Sequence, residues 1–121
     1  MQGKRLDRVN QLIKEEVSTL LQRELKDPRL GFTTVTEVDV TPDLKHAKVY
    51  VSVLGPEAQW ASSLAALESA RGFIWAWLRR HLDLRVTPEI SFRPDRSMEH
   101  AAHIQSLLAS LNGRKAPGEA P

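Results

Sequence analysis

The sequence predicts an α+β domain in which helices cover one face of a three-stranded sheet. Three observations carry this prediction: an amphipathic helix opens the chain, a strand pair with a polar turn follows, and helical periodicity then gives way to one more strand. The length of 121 residues suits one domain that can bury a core. We expect a single folded domain over residues 1–111 and a disordered tail, rich in Pro and Gly, over residues 112–121.

The composition excludes several classes of protein. The chain contains no cysteine, which excludes a disulfide scaffold, a cysteine-based zinc site and thiol catalysis. No apolar run approaches the roughly 20 residues that cross a bilayer, so no membrane is expected as a partner. The formal net charge is only +2, from 17 Lys and Arg against 15 Asp and Glu, so the distribution of charge is more informative than its sum.

The first helix is predicted over residues 4–26. Its apolar positions recur at steps of three and four: Leu6, Val9, Ile13, Val17, Leu20 and Leu21. Pro28 disfavours helical angles at Asp27, so the helix is expected to end near Lys26. Gly31 is a second break, and residues 27–31 are therefore predicted to be a tight connection.

Residues 33–41 and 46–54 are typical of a β-hairpin. The second segment alternates apolar and polar residues, as a strand with one buried face does. Pro42 and Asp43 favour a reversal of the chain between the two segments. In the first segment Val35 and Val38 are three residues apart, so they point to opposite faces of a regular strand. Either a bulge lies between them or both faces of the strand are partly covered.

The central helical region is predicted to contain a break. Residues 57–69 have helical spacing, and the pattern resumes after Gly72. Glycine inside a helix costs about 1 kcal/mol relative to alanine. We therefore expect either two helices that meet at Ala70-Arg71-Gly72 or one helix kinked there.

A third strand is predicted over residues 86–93, with Val86, Ile90 and Phe92 on one face. Pro88 lies on the same face as these residues, and a proline within a strand favours an edge position or a bulge. Because this strand follows a helical crossover, we expect it to lie parallel to one strand of the hairpin.

A last helix is predicted after a cap at Asp95 or Ser97. Its apolar stripe consists of Met98, Ala101, Ile104 or Gln105, Leu108 and Leu111. His100 and His103 share a face of this helix, but a metal site needs a third ligand. We expect two exposed histidines and no metal site.

Charge is divided unevenly along the chain. The hairpin region, residues 33–57, has two lysines against four carboxylates, whereas residues 71–96 have six arginines against three carboxylates. Guanidinium groups suit phosphate recognition and base stacking, so this asymmetry indicates a nucleic-acid surface. Arginine-rich helix faces are nevertheless most often only solvated.

Two further features leave alternatives open. Trp75 lies off the apolar stripe that places Trp77 in the core, with arginines four residues away on either side. It fits base stacking or packing under the first or last helix. Glu37 and Asp39 share a strand face. This placement fits an acid–base pair or, more commonly, two solvated charges on the outer face of a hairpin.

No phosphate loop, dinucleotide fingerprint or nucleophile motif occurs in the sequence. Neither enzymatic activity nor a cofactor is therefore predicted.

The order α-β-β-α-α-β is that of type II KH RNA-binding domains, but the chain contains no G-x-x-G loop. The helix pair meets at Ala-x-Gly instead. The chain resembles ribosome-binding factor A over about residues 4–111. The matching segments are Arg8-Val9, residues 25–31, 41–44, 47–52, 69–74, 84–86 and 88–92, and Asp95-Arg96-Ser97 with Ile104, Leu107 and Leu108. One departure is Ala101, where the family often has Gly.

The resemblance implies a cytoplasmic factor for late maturation of the small ribosomal subunit. Such proteins bind the free small subunit, contact its ribosomal RNA and assist rRNA processing, often in cold adaptation, without catalytic activity. Ribosomal proteins and a release GTPase are further candidate partners, and a monomer is expected. The rival hypotheses are a protein–protein adaptor that uses the hairpin edge or an exposed tryptophan, and a small hydrolase that uses the Glu37/Asp39 face.

The candidate RNA-binding residues are Lys4, Arg5, Arg8, Arg29, Arg71, Gly72, Trp75, Arg79, Arg80 and Arg85. Ala70, Gly72, Asp27, Pro28 and Gly31 are the predicted structural-motif residues. Arg71 is the strongest single candidate, because it lies in the family motif at the predicted kink.

Overall fold

The computed structural model describes residues 2–111. Its elements are α1 (Gln2–Arg23), β1 (Thr33–Val40), β2 (His46–Val53), α2 (Glu57–Ser69), α3 (Arg71–His81), β3 (Glu89–Pro94) and α4 (Ser97–Leu111). The predicted order of elements and the α+β class are confirmed. The predicted tail, residues 112–121, lies outside the described residues. Within residues 2–111 no helix is both long and apolar enough to cross a bilayer.

The sheet has the strand order β1-β2-β3, with β1 antiparallel and β3 parallel to β2. The expected parallel pairing of the third strand is thus confirmed, and of the two alternatives for Pro88, an edge position or a bulge, the edge position is the one that occurs. The strand begins at Glu89 rather than at residue 86, and Val86 is 43% exposed instead of lying on the core face. Pro88 has no N–H to donate, so pairing starts only where the Glu89 N–H donates to the Lys45 carbonyl at 2.8 Å.

A bulge in β1 lets Val35 and Val38 both face the core although they are three residues apart. Val35 pairs with Val51 and Glu37 with Tyr50, which leaves Thr36 as an extra residue. The extra residue returns Val38 to the buried face of the sheet. Of the two alternatives that the sequence left open, the bulge is the one that occurs.

The core lies between one face of the sheet and helices α1, α2 and α3. Its buried apolar side chains are Ile13, Val17, Leu20 and Leu21 of α1, Leu67 of α2, Ile74 and Leu78 of α3, and, from the sheet, Val35, Val38, Val40, Ala47, Val49, Val51, Ile90 and Phe92. Helix α4 contributes no buried residue.

The connection after α1 is a tight turn held on α2. The helix ends at Arg23, three residues before the predicted end, because the N–H groups of both Glu24 and Leu25 converge on the Leu20 carbonyl at 2.9 Å. The Leu30 N–H then donates to the Asp27 carbonyl at 2.9 Å, which closes the predicted turn around Pro28.

Ser63 fixes this turn to α2. Its side chain is fully buried, and its hydroxyl oxygen accepts the Gly31 N–H at 2.9 Å. A β-carbon at Gly31 would overlap the side chain of Gln59, so glycine permits the close approach. The Ser62 hydroxyl adds a hydrogen bond to the Arg29 carbonyl at 2.9 Å.

The break between α2 and α3 falls at Ala70, whose φ of −93° and ψ of 3° end one helix and begin the next. Two helices therefore meet, which is one of the two predicted arrangements. Gly72 is not the residue that bends the chain: it lies inside α3, its φ is not positive, and a β-carbon there would meet open space.

Replacing Ser63 by alanine should lower the free energy of unfolding by about 1–3 kcal/mol, because the partly buried Gly31 N–H would lose its acceptor. Urea titration followed by circular dichroism measures the change. Ser69→Ala is the matched control, since the exposed Ser69 hydroxyl bonds only to the Ala65 carbonyl of its own helix. Equal effects of the two substitutions would contradict the role given to Ser63.

Candidate nucleic-acid interface

A groove of about 460 Å³ lies beside the junction of α2 and α3. We name it the junction groove; it is lined by Lys45, Arg71, Gly72, Trp75, Val86, Thr87, Glu89 and Ile90. Gly72 lines this groove, and no other atom occupies the space that a β-carbon there would fill. The fold therefore does not require glycine at this position.

Arg71 is anchored at one side of the junction groove. Its Nη1 donates to the Ile90 carbonyl at 3.3 Å, on the edge of the sheet, and its Nε lies 3.4 Å from the Glu68 carboxylate. The side chain is still about half exposed. Arg71 is therefore oriented by the protein and retains donors that can reach a ligand.

Trp75 is oriented by the loop that precedes β3. Its indole N–H donates to the Thr87 carbonyl at 3.2 Å, and 36% of the residue remains exposed. The Arg79 guanidinium lies over the ring, 5.5 Å from its centroid. The ring is thus neither in the core nor under α1 or α4, but forms part of the wall of the junction groove.

A second groove, of about 330 Å³, lies between α1 and the loop after α3. We name it the arginine groove; its lining residues are Arg5, Arg8, Val9, Leu12, Val40, Leu44, Asp83, Leu84, Arg85, Val86 and Pro88. Three arginines face one aspartate there, and none of the three forms an ion pair with any of residues 2–111. The groove therefore offers three guanidinium groups to an anion.

Val86 lines both grooves, so they adjoin. The fold brings five predicted contacts, Arg5, Arg8, Arg71, Trp75 and Arg85, together with Gly72, onto one surface. We call the two grooves together the basic surface. Positive charge exceeds negative charge in each of them, since Lys45 and Arg71 face only Glu89 in the junction groove.

The remaining predicted contacts line neither groove. Lys4, Arg79 and Arg80 are all exposed to solvent. Of these, Arg79 touches the basic surface only by lying over the ring of Trp75. The Arg29 guanidinium is bound by the Asp27 carboxylate at 2.8 Å.

The hydrogen bonds from the Arg29 side chain, and then from its backbone N–H, lower the pKa of Asp27. The Arg29 guanidinium is therefore already paired with a carboxylate of its own turn. Of the predicted contacts, Arg29 is therefore the one least suited to bind an external phosphate.

Sequence reasoning missed Lys45, Thr87 and Glu89, which also line the junction groove. Leu44 adopts a left-handed conformation, with φ of 63°, in the turn that delivers Lys45 to the start of β3. The expected parallel pairing of β3 with the hairpin could have indicated this meeting of segments.

The residues weighed for catalysis or metal binding lie elsewhere. Glu37 and Asp39 are exposed on β1, and His100 and His103 are exposed on α4, as expected. The described part of the chain holds no group of three or more His, Asp or Glu side chains placed to bind a metal ion.

Comparison with known proteins places the chain in a family. The model of the family described as ribosome-binding factor A matches residues 5–108. The chain belongs to the ribosome-binding factor A family. Ribosome-binding factor A of Natranaerobius thermophilus is 47% identical over 112 residues, which cover 93% of this chain and 86% of that protein.

Solved structures of family members share the fold. The crystal structure of ribosome-binding factor A from Thermus thermophilus has a TM-score of 0.68 at 29% identity and covers 76% of this chain and 98% of its own. A homology model of the T. thermophilus factor, fitted into a cryo-EM map of a 30S complex with that factor, has a TM-score of 0.61 at 31% identity, over 72% and 91% of the two chains.

Trp77 and Trp75 provide a direct comparison of a core and a surface indole. Trp77 packs against the core, and its N–H donates to Glu16 at 2.9 Å. Trp77→Phe should lower the free energy of unfolding by about 2 kcal/mol, because it loses packing and a charge-assisted hydrogen bond. Trp75→Phe should cost about 1 kcal/mol or less. Urea titration checks both values, and a larger loss for Trp75→Phe would contradict the surface position.

Proposed function

We propose that this chain binds the free small ribosomal subunit and contacts its ribosomal RNA through the basic surface. The 30S complex of the T. thermophilus factor supports the choice of partner, since the two chains share fold and family. We further propose that the chain acts in the cytoplasm, during late maturation of the subunit, and assists rRNA processing. The observation that carries the proposal is the arginine groove, which holds three arginines and shares Val86 with the junction groove that Trp75 lines.

The arginine groove suits the RNA backbone. Guanidinium groups bind phosphate oxygens with two parallel hydrogen bonds, and binding releases the counterions condensed on the nucleic acid. Arg5 and Arg8 are on adjacent turns of α1, and Arg85 approaches from the loop after α3. Because none of them has a carboxylate partner among the described residues, no internal ion pair must be broken for a phosphate to bind.

The junction groove suits a nucleotide more than a bare phosphate. Trp75 offers part of its ring for stacking, and Arg71 offers the donors that Ile90 and Glu68 do not occupy. Thr87 and Glu89 add polar groups that can receive donors from a base. Affinity would then arise mostly at the arginines, and selectivity from the shape of the junction groove.

The proposed role needs no chemical step. A protein that binds one conformer of the RNA more tightly than another shifts the population towards the first, by an amount set by the difference in affinity. Assistance to processing would follow if the favoured conformer presents the rRNA ends to the processing enzymes. The chain is proposed to work as one copy per subunit.

The double variant Arg8→Glu/Arg85→Glu tests the proposal. It places two carboxylates in the arginine groove and should weaken binding to free small subunits by at least about tenfold, because phosphate contacts are lost and repulsion is added. Co-sedimentation of the purified protein with free small subunits, large subunits and whole ribosomes measures the change. The unaltered chain should pellet with free small subunits.

Arg23→Glu/Arg93→Glu is the matched control, since it makes the same change of net charge at exposed arginines that line neither groove. Its binding should fall by no more than about threefold, through long-range electrostatics alone. Circular dichroism establishes that both variants are folded. Equal losses in the two variants would remove the basic surface as the binding site.

A further inference from the structure

The arginine groove brings together three positive charges that the described chain does not neutralise. Arg5 and Arg8 are three residues apart on one face of α1, and Arg85 approaches them from the loop after α3. All three are exposed, and none forms an ion pair with any of residues 2–111. Asp83 is the one carboxylate of the lining, which leaves a surplus of two positive charges. Because like charges repel, a bound anion would stabilise this part of the fold.

The arginine groove is closed on its inner side. Val40 is 2% exposed and Pro88 is buried, so these two side chains form its floor, whereas the arginines lie at its opening. Its volume of about 330 Å³ is near the lower end of the roughly 300–1,000 Å³ of sites that enclose one small ligand. A ligand therefore enters from the solvent side, and the groove holds one phosphate group rather than a run of RNA backbone.

The charge of the groove matches a phosphate at the end of an RNA chain better than a phosphate within the chain. An internal phosphodiester carries one negative charge and has two free oxygens. A phosphomonoester carries about 1.5 to 2 negative charges at neutral pH and offers three acceptor oxygens, which three guanidinium groups can bind. The carboxylate of an acidic peptide offers one charge and two oxygens. The terminal phosphate is therefore the anion that balances the surplus charge most fully.

The junction groove lies where the nucleotide that carries this phosphate can place its base. The two grooves meet at Val86. When the phosphate is in the arginine groove, the base of the same nucleotide is next to the junction groove, where Trp75 offers part of its ring for stacking. Phosphate and base are then bound by adjoining parts of the basic surface.

We propose that the arginine groove binds the phosphomonoester at the end of an RNA chain, with the terminal base against Trp75. Hydrolysis of a phosphodiester by water leaves a phosphomonoester on one of the two new ends and a hydroxyl on the other. The reaction that supplies this ligand is therefore the cleavage of RNA, and the chain binds a cut end in preference to uncut backbone. This inference rests on the proposed function and deepens it, since it names the feature of the rRNA that the basic surface selects.

Fluorescence anisotropy with short RNAs tests the proposal. A single sequence, labelled at an internal base, is made with a 5′-phosphate, with a 3′-phosphate and with hydroxyls at both ends. The full chain should bind one of the phosphorylated RNAs at least about tenfold more tightly than the hydroxyl-ended RNA, because the added charge and oxygen meet arginines without a carboxylate partner. The preferred end identifies the orientation of the bound RNA. Equal affinities for all three RNAs would overturn the proposal.

Two double variants test the assignment to the arginine groove. Arg8→Gln/Arg85→Gln removes two of the three guanidinium groups and should reduce the preference to less than about twofold. Arg23→Gln/Arg93→Gln makes the same change of charge at exposed arginines outside both grooves and should keep the preference. Circular dichroism establishes that both variants are folded. A preference that survives in Arg8→Gln/Arg85→Gln would overturn the assignment.

Competition separates RNA ends from soluble anions. Uridine 5′-monophosphate and inorganic phosphate should displace the phosphorylated RNA only at concentrations at least about a hundredfold above those of the unlabelled RNA, because they lack its further contacts. Displacement by either at the concentration of the RNA itself would overturn the assignment to RNA ends. Binding to small subunits without a preference for phosphorylated ends would overturn this inference alone. The preference without binding to small subunits would support the site and overturn the proposed partner.

Discussion

The parallel pairing of β3 with β2 is the constraint on which the rest of the structure depends. A parallel neighbour cannot be reached by a tight turn, so the chain must cross the sheet through α2 and α3 before it returns. The crossover covers the buried face of the sheet. It also places the helix junction next to the start of β3, where the Glu89 N–H meets the Lys45 carbonyl. Both grooves of the basic surface follow from this path.

The division of charge follows from the same path. The arginines of α3 and its following loop are distant in sequence from those of α1, yet the crossover brings Arg85 beside Arg5 and Arg8. Glu37 and Asp39 of the hairpin stay on β1, outside both grooves. A net charge of only +2 therefore coexists with a surface on which arginines outnumber carboxylates.

Much of the fold could be predicted because its signals are local. The alternation in β2 and the helical spacing over residues 57–69 depend on near neighbours alone, and the observed bounds of α2 agree with the prediction. The bulge at Thr36 could be inferred only as one of two possibilities. The prediction that Val86 belongs to the third strand, on the same face as Ile90 and Phe92, is wrong, because it extends the alternation through Pro88, where no ladder hydrogen bond can start.

The candidate site was harder to predict, because its parts come from distant segments. Sequence could propose Arg71 and Trp75 from the helix junction, but not that a Thr87 carbonyl orients the indole. Arg29 satisfied the same sequence criteria as Arg85, and only the structure shows that the Asp27 carboxylate binds its guanidinium. Whether an arginine is available to a ligand is decided by such neighbours and not by the composition of the segment.

The central claim is that the surface around Val86 faces ribosomal RNA. A photo-cross-linking amino acid at Val86, where the two grooves meet, tests it most directly against the same amino acid at Tyr50, on the sheet face away from the helices. After illumination with free small subunits, the Val86 variant should cross-link to the rRNA and the Tyr50 variant should not. Cross-links to the rRNA from Tyr50 and none from Val86 would contradict the account.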